Sequence, residues 1–167
     1  MKYYYTVMRS PVGDITLISD ADSLCAIYWP NQKPDGKKFP ELEKKDSKVL
    51  RSAVKQLNGY FKGKRMEFDL RLRPVGTDFQ ERVWQALTTI DYGDTVSYGE
   101  IANDIRNPKA VRAVGAAIGK NPISIIIPCH RVIGSNGKLT GFAGGLSTKE
   151  FLLNLEDNIL SDEEETV

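Results

Sequence analysis

The chain has 167 residues, 41% of them hydrophobic and 27% charged, with 23 Lys and Arg against 22 Asp and Glu. That length is enough to bury a core in one or two domains, and the composition is that of an ordinary globular protein rather than a fibrous or disordered one. No apolar run approaches a membrane span, and Met1–Tyr5 lacks a signal-peptide core. Two cysteines give no disulfide framework, and with one histidine they cannot close a zinc site without carboxylates. A reducing cytoplasm is therefore expected, with no metal.

Three β-favouring segments open the chain: Tyr3 to Met8, Asp14 to Ser19 and Leu24 to Trp29, with turns at Ser10–Gly13 and Asp20–Ser23. They read as an antiparallel meander, in which Ile15 and Leu17 alternate correctly and Ile18 falls out of step. Cys25 lies within the third segment and reads as core. Pro30 to Pro40 reads as a surface loop. Val49, Leu50, Ala53, Val54, Leu57, Tyr60 and Phe61 recur at helical spacing, with Asp46 or Ser47 as N-cap. Arg73–Thr77 breaks the pattern and marks a domain boundary.

Beyond it, Asp78 is expected to cap a helix from Phe79 to Ile90. Ser97 and Glu100 form a capping box for a second helix, which stops near Arg106–Pro108. Pro108 suits the first position of a third, running to Gly119. The pair reads as a helix-turn-helix, a pattern shared with many core helix pairs. Ala110, Ala113, Gly115, Ala116, Ala117 and Gly119 make the third helix small-sided, which admits two readings: close packing on another helix, or entry into a groove of DNA. Arg112 is the one long cation among them and has the reach of a wedge into stacked bases.

The segment Ile127-Pro128-Cys129-His130-Arg131-Val132 puts a thiol beside the only histidine, at the end of the apolar run Ile123 to Ile127. A cysteine is nucleophilic as its thiolate, and neighbouring His or Arg lowers the thiol pKa. Alone, such a pair reads as core. It sits, however, in a window from Ile105 to Lys149 that holds seven cations and no acid, so the window is +7 and the remainder −6. That asymmetry is the footprint of a protein that meets a polyanion.

Between about Thr77 and Glu156 the chain resembles the O6-alkylguanine-DNA alkyltransferases, the methylated-DNA–protein-cysteine methyltransferases. The motifs are Val96-Ser97-Tyr98, Asn107-Pro108-Lys109-Ala110-Val111-Arg112-Ala113-Val114-Gly115, Gly119-Lys120-Asn121-Pro122, Pro-Cys-His-Arg-Val and Phe142-Ala143-Gly144-Gly145-Leu146, with Lys149-Glu150 following. The resemblance implies an α+β fold: a ribonuclease-H-like antiparallel sheet plus helix in residues 1–75, and a winged-helix-like domain with the helix-turn-helix in residues 76–160. Residues 161–167 are expected to be a disordered acidic tail.

The resemblance further implies that Cys129 accepts an alkyl group from guanine O6, and also from thymine O4, after minor-groove binding and base flipping. His130 would act as base and Glu156 would orient it, although by itself Glu156 reads as a helix-surface acid. Tyr98 would donate toward the leaving guanine, and Asn121 would brace the turn between the third helix and an active-site strand. The carbonyls of Cys129 and Val132 would read the exocyclic amine, the Ala143 amide would face O6, and Phe142 would pack along the base. Arg112, Ala110, Ala113, Gly115, Lys109 and Arg106 would form the DNA face. Many family members have Tyr at position 142 and some have Ser at 143.

The implied reaction needs no cofactor and consumes the protein. The partner is double-stranded DNA carrying O6-alkylguanine, the protein a monomer in the cytoplasm, or in the nucleus of a eukaryote. Two other readings compete: a non-catalytic damage sensor on the same scaffold, and a thiol hydrolase using Cys129 and His130.

Overall fold

A computed structural model describes the backbone of residues 1–165 and the side chains of residues 1–161. The chain divides into two compact units, Met1–Val75 and Gly76–Val167.

In the first unit, β1 (Tyr4–Met8), β2 (Ile15–Ser19) and β3 (Leu24–Tyr28) pair as an antiparallel meander, and β4 (Glu43–Lys44) adds a short parallel pairing to β1. The strand order is β3-β2-β1-β4. Ile15, Leu17 and Ile18 are all fully buried, because the sheet is covered on both faces. Helix α1 (Lys48–Phe61) packs against β1, β2 and β3. Ile18, whose side chain alternates to the face opposite Leu17, joins Ala26, Cys25 and Phe39 from the Pro30–Pro40 loop. A two-sided burial removes the need for strict alternation, which accounts for Ile18. Ser47 caps α1 by accepting from the Leu50 amide at 3.2 Å. Cys25 is buried, and the Arg73 guanidinium lies 3.7 Å from its Sγ while pairing with Asp20 at 2.7 Å.

The second unit begins with α2 (Asp78–Leu87). Its N-cap is Thr77, not Asp78. Thr77 accepts from the Gln80 amide and Gln80 reaches back to the Thr77 amide, so a two-sided capping box outcompetes the lone aspartate. Strand β5 (Val96–Ser97) pairs in parallel with β6 (Val132–Ile133), and the Ser97–Glu100 capping box opens α3 (Tyr98–Asp104). Helix α4 (Val111–Gly119) begins three residues later than the proline suggested. Asn107–Ala110 instead forms a turn closed by the Ala110 amide on the Asn107 carbonyl at 3.0 Å, and Ala110 is the N-cap.

Arg106 ends α3 in the left-handed region, φ +60°. The Asn107 amide bonds the Ala102 carbonyl and the Arg106 amide bonds the Asn103 carbonyl, each at 2.9 Å, which is a Schellman closure. A non-glycine residue there costs about 1–2 kcal/mol. Trp84 of α2 donates from Nε1 to the Ala117 carbonyl at 2.8 Å and fixes α4 from beneath. Helix α5 (Leu146–Glu165) closes the unit. It runs through the stretch expected to be a disordered tail as far as Glu165, since Glu is a good helix former and no Gly or Pro intervenes. Thr166 and Val167 lie outside the described residues.

Candidate active site

The segment leaving α4 is held by one side chain. Asn121 Nδ2 donates to the Ile127 carbonyl at 2.8 Å, and its Oδ1 accepts from the Ile123 amide at 3.0 Å. The amide thus ties together both ends of Ile123–Ile127. That run is buried as expected, except for half-buried Ile126, but it is a compact turn and not a strand. Ile125 sits at φ +73°, a costly conformation for a β-branched residue. The Ile127 amide bonds the Ile123 carbonyl at 2.9 Å and the Cys129 amide bonds the Ile127 carbonyl at 2.8 Å. Strain of this kind persists only where surrounding contacts over-determine it. Here it delivers Pro128 and then a 3-10 turn, Cys129–Arg131.

Successive residues of a 3-10 turn point about 120° apart. All three side chains are buried, Cys129 at 4% exposure, His130 at 0% and Arg131 at 6%. His130 Nε2 lies 2.6 Å from Glu156 Oε2. Arg131 grips the same carboxylate, Nε to Oε1 at 2.8 Å and Nη2 to Oε2 at 3.2 Å, and its Nη1 donates to the Ile90 carbonyl at 2.7 Å. The Gly93 amide donates to Oε1 at 3.1 Å. Gly93 has φ +84°, and a Cβ there would collide with Leu160, so this approach needs glycine.

Burial opposes ionisation of Glu156. The His130 and Arg131 hydrogen bonds and charges outweigh it and hold the carboxyl down at about 2. An ionised carboxylate only accepts, so Nε2 of a neutral His130 must carry the proton. That tautomer leaves the lone pair on Nδ1. Nδ1 is buried and has no hydrogen-bond partner among the described residues.

The thiol environment differs from the sequence expectation. Burial raises the Cys129 pKa, opposed by the Asn121 and Ser124 side chains and the charge of Lys149. Arg131 does not serve the thiol, because its guanidinium is spent on Glu156. Burial also lowers the His130 pKa, against the pull of Glu156. The cation that favours the thiolate is Lys149, 1% exposed, whose Nζ donates to the Val132 carbonyl at 2.6 Å and whose own pKa burial lowers. Lys149→Met is expected to raise the thiol pKa. A nearby opposite charge is worth about one to three pKa units, so the transfer to Cys129 that the resemblance implies should slow at neutral pH by roughly tenfold or more. The pH profile of transfer from free O6-benzylguanine checks this, with an unmoved profile as the contrary result.

Around this centre, Tyr98 Oη is 2.5 Å from Thr140 Oγ1. The Val132 carbonyl already accepts from Lys149, and the Cys129 carbonyl from the Val132 amide, so each has one lone pair left for a base. Phe142 and Ala143 are half-buried, with the Phe142 carbonyl accepting from Gly145 at 2.9 Å. On α4, Arg112, Ala113 and Ala116 are exposed, as are Arg106 and Lys109 before it, while Ala110 and Gly115 are half-buried. A Cβ at Gly115 would meet only the Tyr98 ring, at an ordinary 3.8 Å. Close helix packing therefore does not require the small residues of this face.

Lys149, Thr140, Ser124 and the Glu156 grip of Arg131 were not found as site features from sequence. The available signal was Lys149, Leu152 and Glu156, spaced three and four apart on α5, which puts two charges on its buried stripe.

Residues 3–74 match the ribonuclease-like domain of 6-O-methylguanine DNA methyltransferase, and residues 78–158 match the DNA binding domain of the same family. The chain belongs to this family. It is 51% identical over 155 residues to a methylated-DNA–protein-cysteine methyltransferase of Methanosarcina acetivorans, spanning 92% of this chain and 97% of that protein. It is 49% identical over 153 residues to the protein of that name in Mycobacterium bovis, spanning 92% of each. The fold matches the crystal structure of Mycobacterium tuberculosis O6-methylguanine methyltransferase with a TM-score of 0.85 at 48% identity, covering 93% of each chain. It also matches OGT from Mycobacterium tuberculosis in complex with DNA, with a TM-score of 0.86 at 47% identity, covering 95% of this chain and 94% of that one. Among the described residues, no helix is long and apolar enough to cross a membrane.

Proposed function

We propose that this chain repairs alkylated DNA by moving the alkyl group from guanine O6 to Sγ of Cys129 in a single, irreversible turnover. The observation that carries the reading is the buried Nδ1 of His130, without a hydrogen-bond partner among the described residues, one residue from the thiol, on a ring whose other nitrogen is committed to a carboxylate. His130 Nδ1 takes the thiol proton, directly or through one water. The sulfur lone pair attacks the saturated alkyl carbon, and the carbon–oxygen bond breaks with its electrons passing to O6. The guanine anion takes a proton through Tyr98, so the proton lost by sulfur is balanced by the one gained by the base. The product thioether has no easy reverse, and the protein is consumed.

A base inside a duplex is out of reach of a buried sulfur, so the nucleotide must be flipped. The exposed small-residue face of α4 suits a narrow minor groove, and Arg112 suits the gap left in the stack. Arg106 and Lys109 supply phosphate contacts before the helix. Thymine O4 offers the same displacement chemistry. The protein acts wherever its cell keeps DNA, in the cytoplasm or in a nucleus.

Replacing Cys129 with serine is expected to abolish transfer while leaving affinity for an O6-methylguanine duplex within about twofold, since the thiol is not part of the DNA face. A Cys129→Ser protein that still protected cells from alkylation would favour the damage-sensor reading instead.

A further inference from the structure

We propose that the first unit carries a phosphate-binding groove of its own, taking the sugar-phosphate backbone of nucleic acid. The inference uses the function above only in that the protein meets DNA. Residues 1–75 hold fifteen Lys and Arg against nine Asp and Glu, a net +6, although the acid-free basic window lies wholly in the second unit. The excess is concentrated. An open groove of about 1010 Å³ runs between Thr6–Arg9 of the β1 segment and one face of α1.

Arg51, Lys55, Asn58 and Lys62 stand at helical spacing along that face, with Lys64 beyond the helix and Arg9 across from it. From Arg51 to Lys62 the helix rises about 16 Å. That is several phosphates long, at about 3.4 Å of axis per phosphate on one strand.

Asp46 is the single acid of the lining, and it is answered by Arg51 at 3.8 Å. Arg9, Lys55, Lys62 and Lys64 have no ion pair among the described residues. Four unpaired cations held along one concavity repel one another, and a polyanion relieves that repulsion. An acidic peptide added as a strand fits less well. Only Thr6–Met8 of β1 extends past its pairing with β4, too short an edge to template one.

The test uses the full chain and its Arg9→Gln/Lys55→Gln/Lys62→Gln/Lys64→Gln variant. Affinity for an undamaged duplex is measured across a salt series. With all four phosphate contacts made in the wild type, the slope of log K against log salt should become shallower by about 3.6 in the variant, at about 0.9 per contact. Two labelled duplexes brought together by the wild type but not by the variant would place the groove on a second duplex. A loss of slope without bridging would place it on the duplex already held. Both outcomes support the groove. An unchanged slope together with no bridging by the wild type, with thermal unfolding and transfer from free O6-benzylguanine both unaltered, would overturn it. Because transfer to Cys129 is read separately, failure of the groove leaves the repair reading standing, and failure of transfer leaves the groove measurement intact.

Discussion

Glu156→Ala is expected to abolish alkyl transfer and to cost about 3–5 kcal/mol of stability, the usual consequence of removing one partner from a buried ion pair. The carboxylate is 1% exposed and receives His130, both Nε and Nη2 of Arg131, and the Gly93 amide. Its loss leaves a guanidinium buried without a counter-charge and lets the imidazole turn. Glu156→Gln keeps the shape but not the charge, and should also fall well below wild type. Chemical denaturation and single-turnover transfer, measured in parallel, separate the two effects. Near-wild-type values for both would contradict a role for Glu156 in holding the site.

The same group sets an acid limit. A carboxyl held at about 2, against an ordinary 4.5, contributes stability that is full above pH 4.5 and is lost as pH falls toward 2. His130, whose pKa burial lowers from 6.5, acts in the same direction. The unfolded chain binds its proton below pH 6.5 before the folded chain does, so stability begins to decline there. An acid titration of unfolding should therefore show a shallow loss below about pH 6.5 and a steeper one below about 4.5. The steeper part should be reduced in Glu156→Ala, leaving the share of Asp20, whose carboxyl the folded chain also holds down.

Arg112→Ala is expected to slow repair of O6-methylguanine in duplex DNA by about 10- to 100-fold, because holding a flipped nucleotide out of the stack is worth a few kcal/mol. Transfer from free O6-benzylguanine, which needs no flipping, should stay within about twofold. Arg112 is exposed on α4 and lies outside the buried network around Cys129, so a folding defect is not expected. Equal losses on both substrates would sink the flipping role.

Much of this architecture was legible because local rules agreed with the tertiary structure. The meander, the α1 cap at Ser47 and the Ser97–Glu100 capping box each rest on short-range chemistry. The departures have physical causes. Ile123 to Ile127 reads as buried from composition alone, but periodicity cannot foresee a left-handed Ile125 or the Asn121 clamp that holds it. Adjacency suggested that Arg131 would tune the thiol. Arg131 instead spends its guanidinium on Glu156 and the Ile90 carbonyl. Glu156 and Lys149 look like surface charges one at a time. Only their register with Leu152 on α5 puts them in the interior, where one fixes the imidazole tautomer and the charge of the other favours the thiolate.

The central claim is that Cys129 is consumed by the group it removes. Intact-protein mass after incubation with an O6-methylguanine duplex, followed by peptide mapping, tests it most directly. One added methyl is expected, on Cys129, at a stoichiometry that never exceeds one per protein. Retained DNA binding with no added mass, or a methyl mapped to another residue, would contradict it.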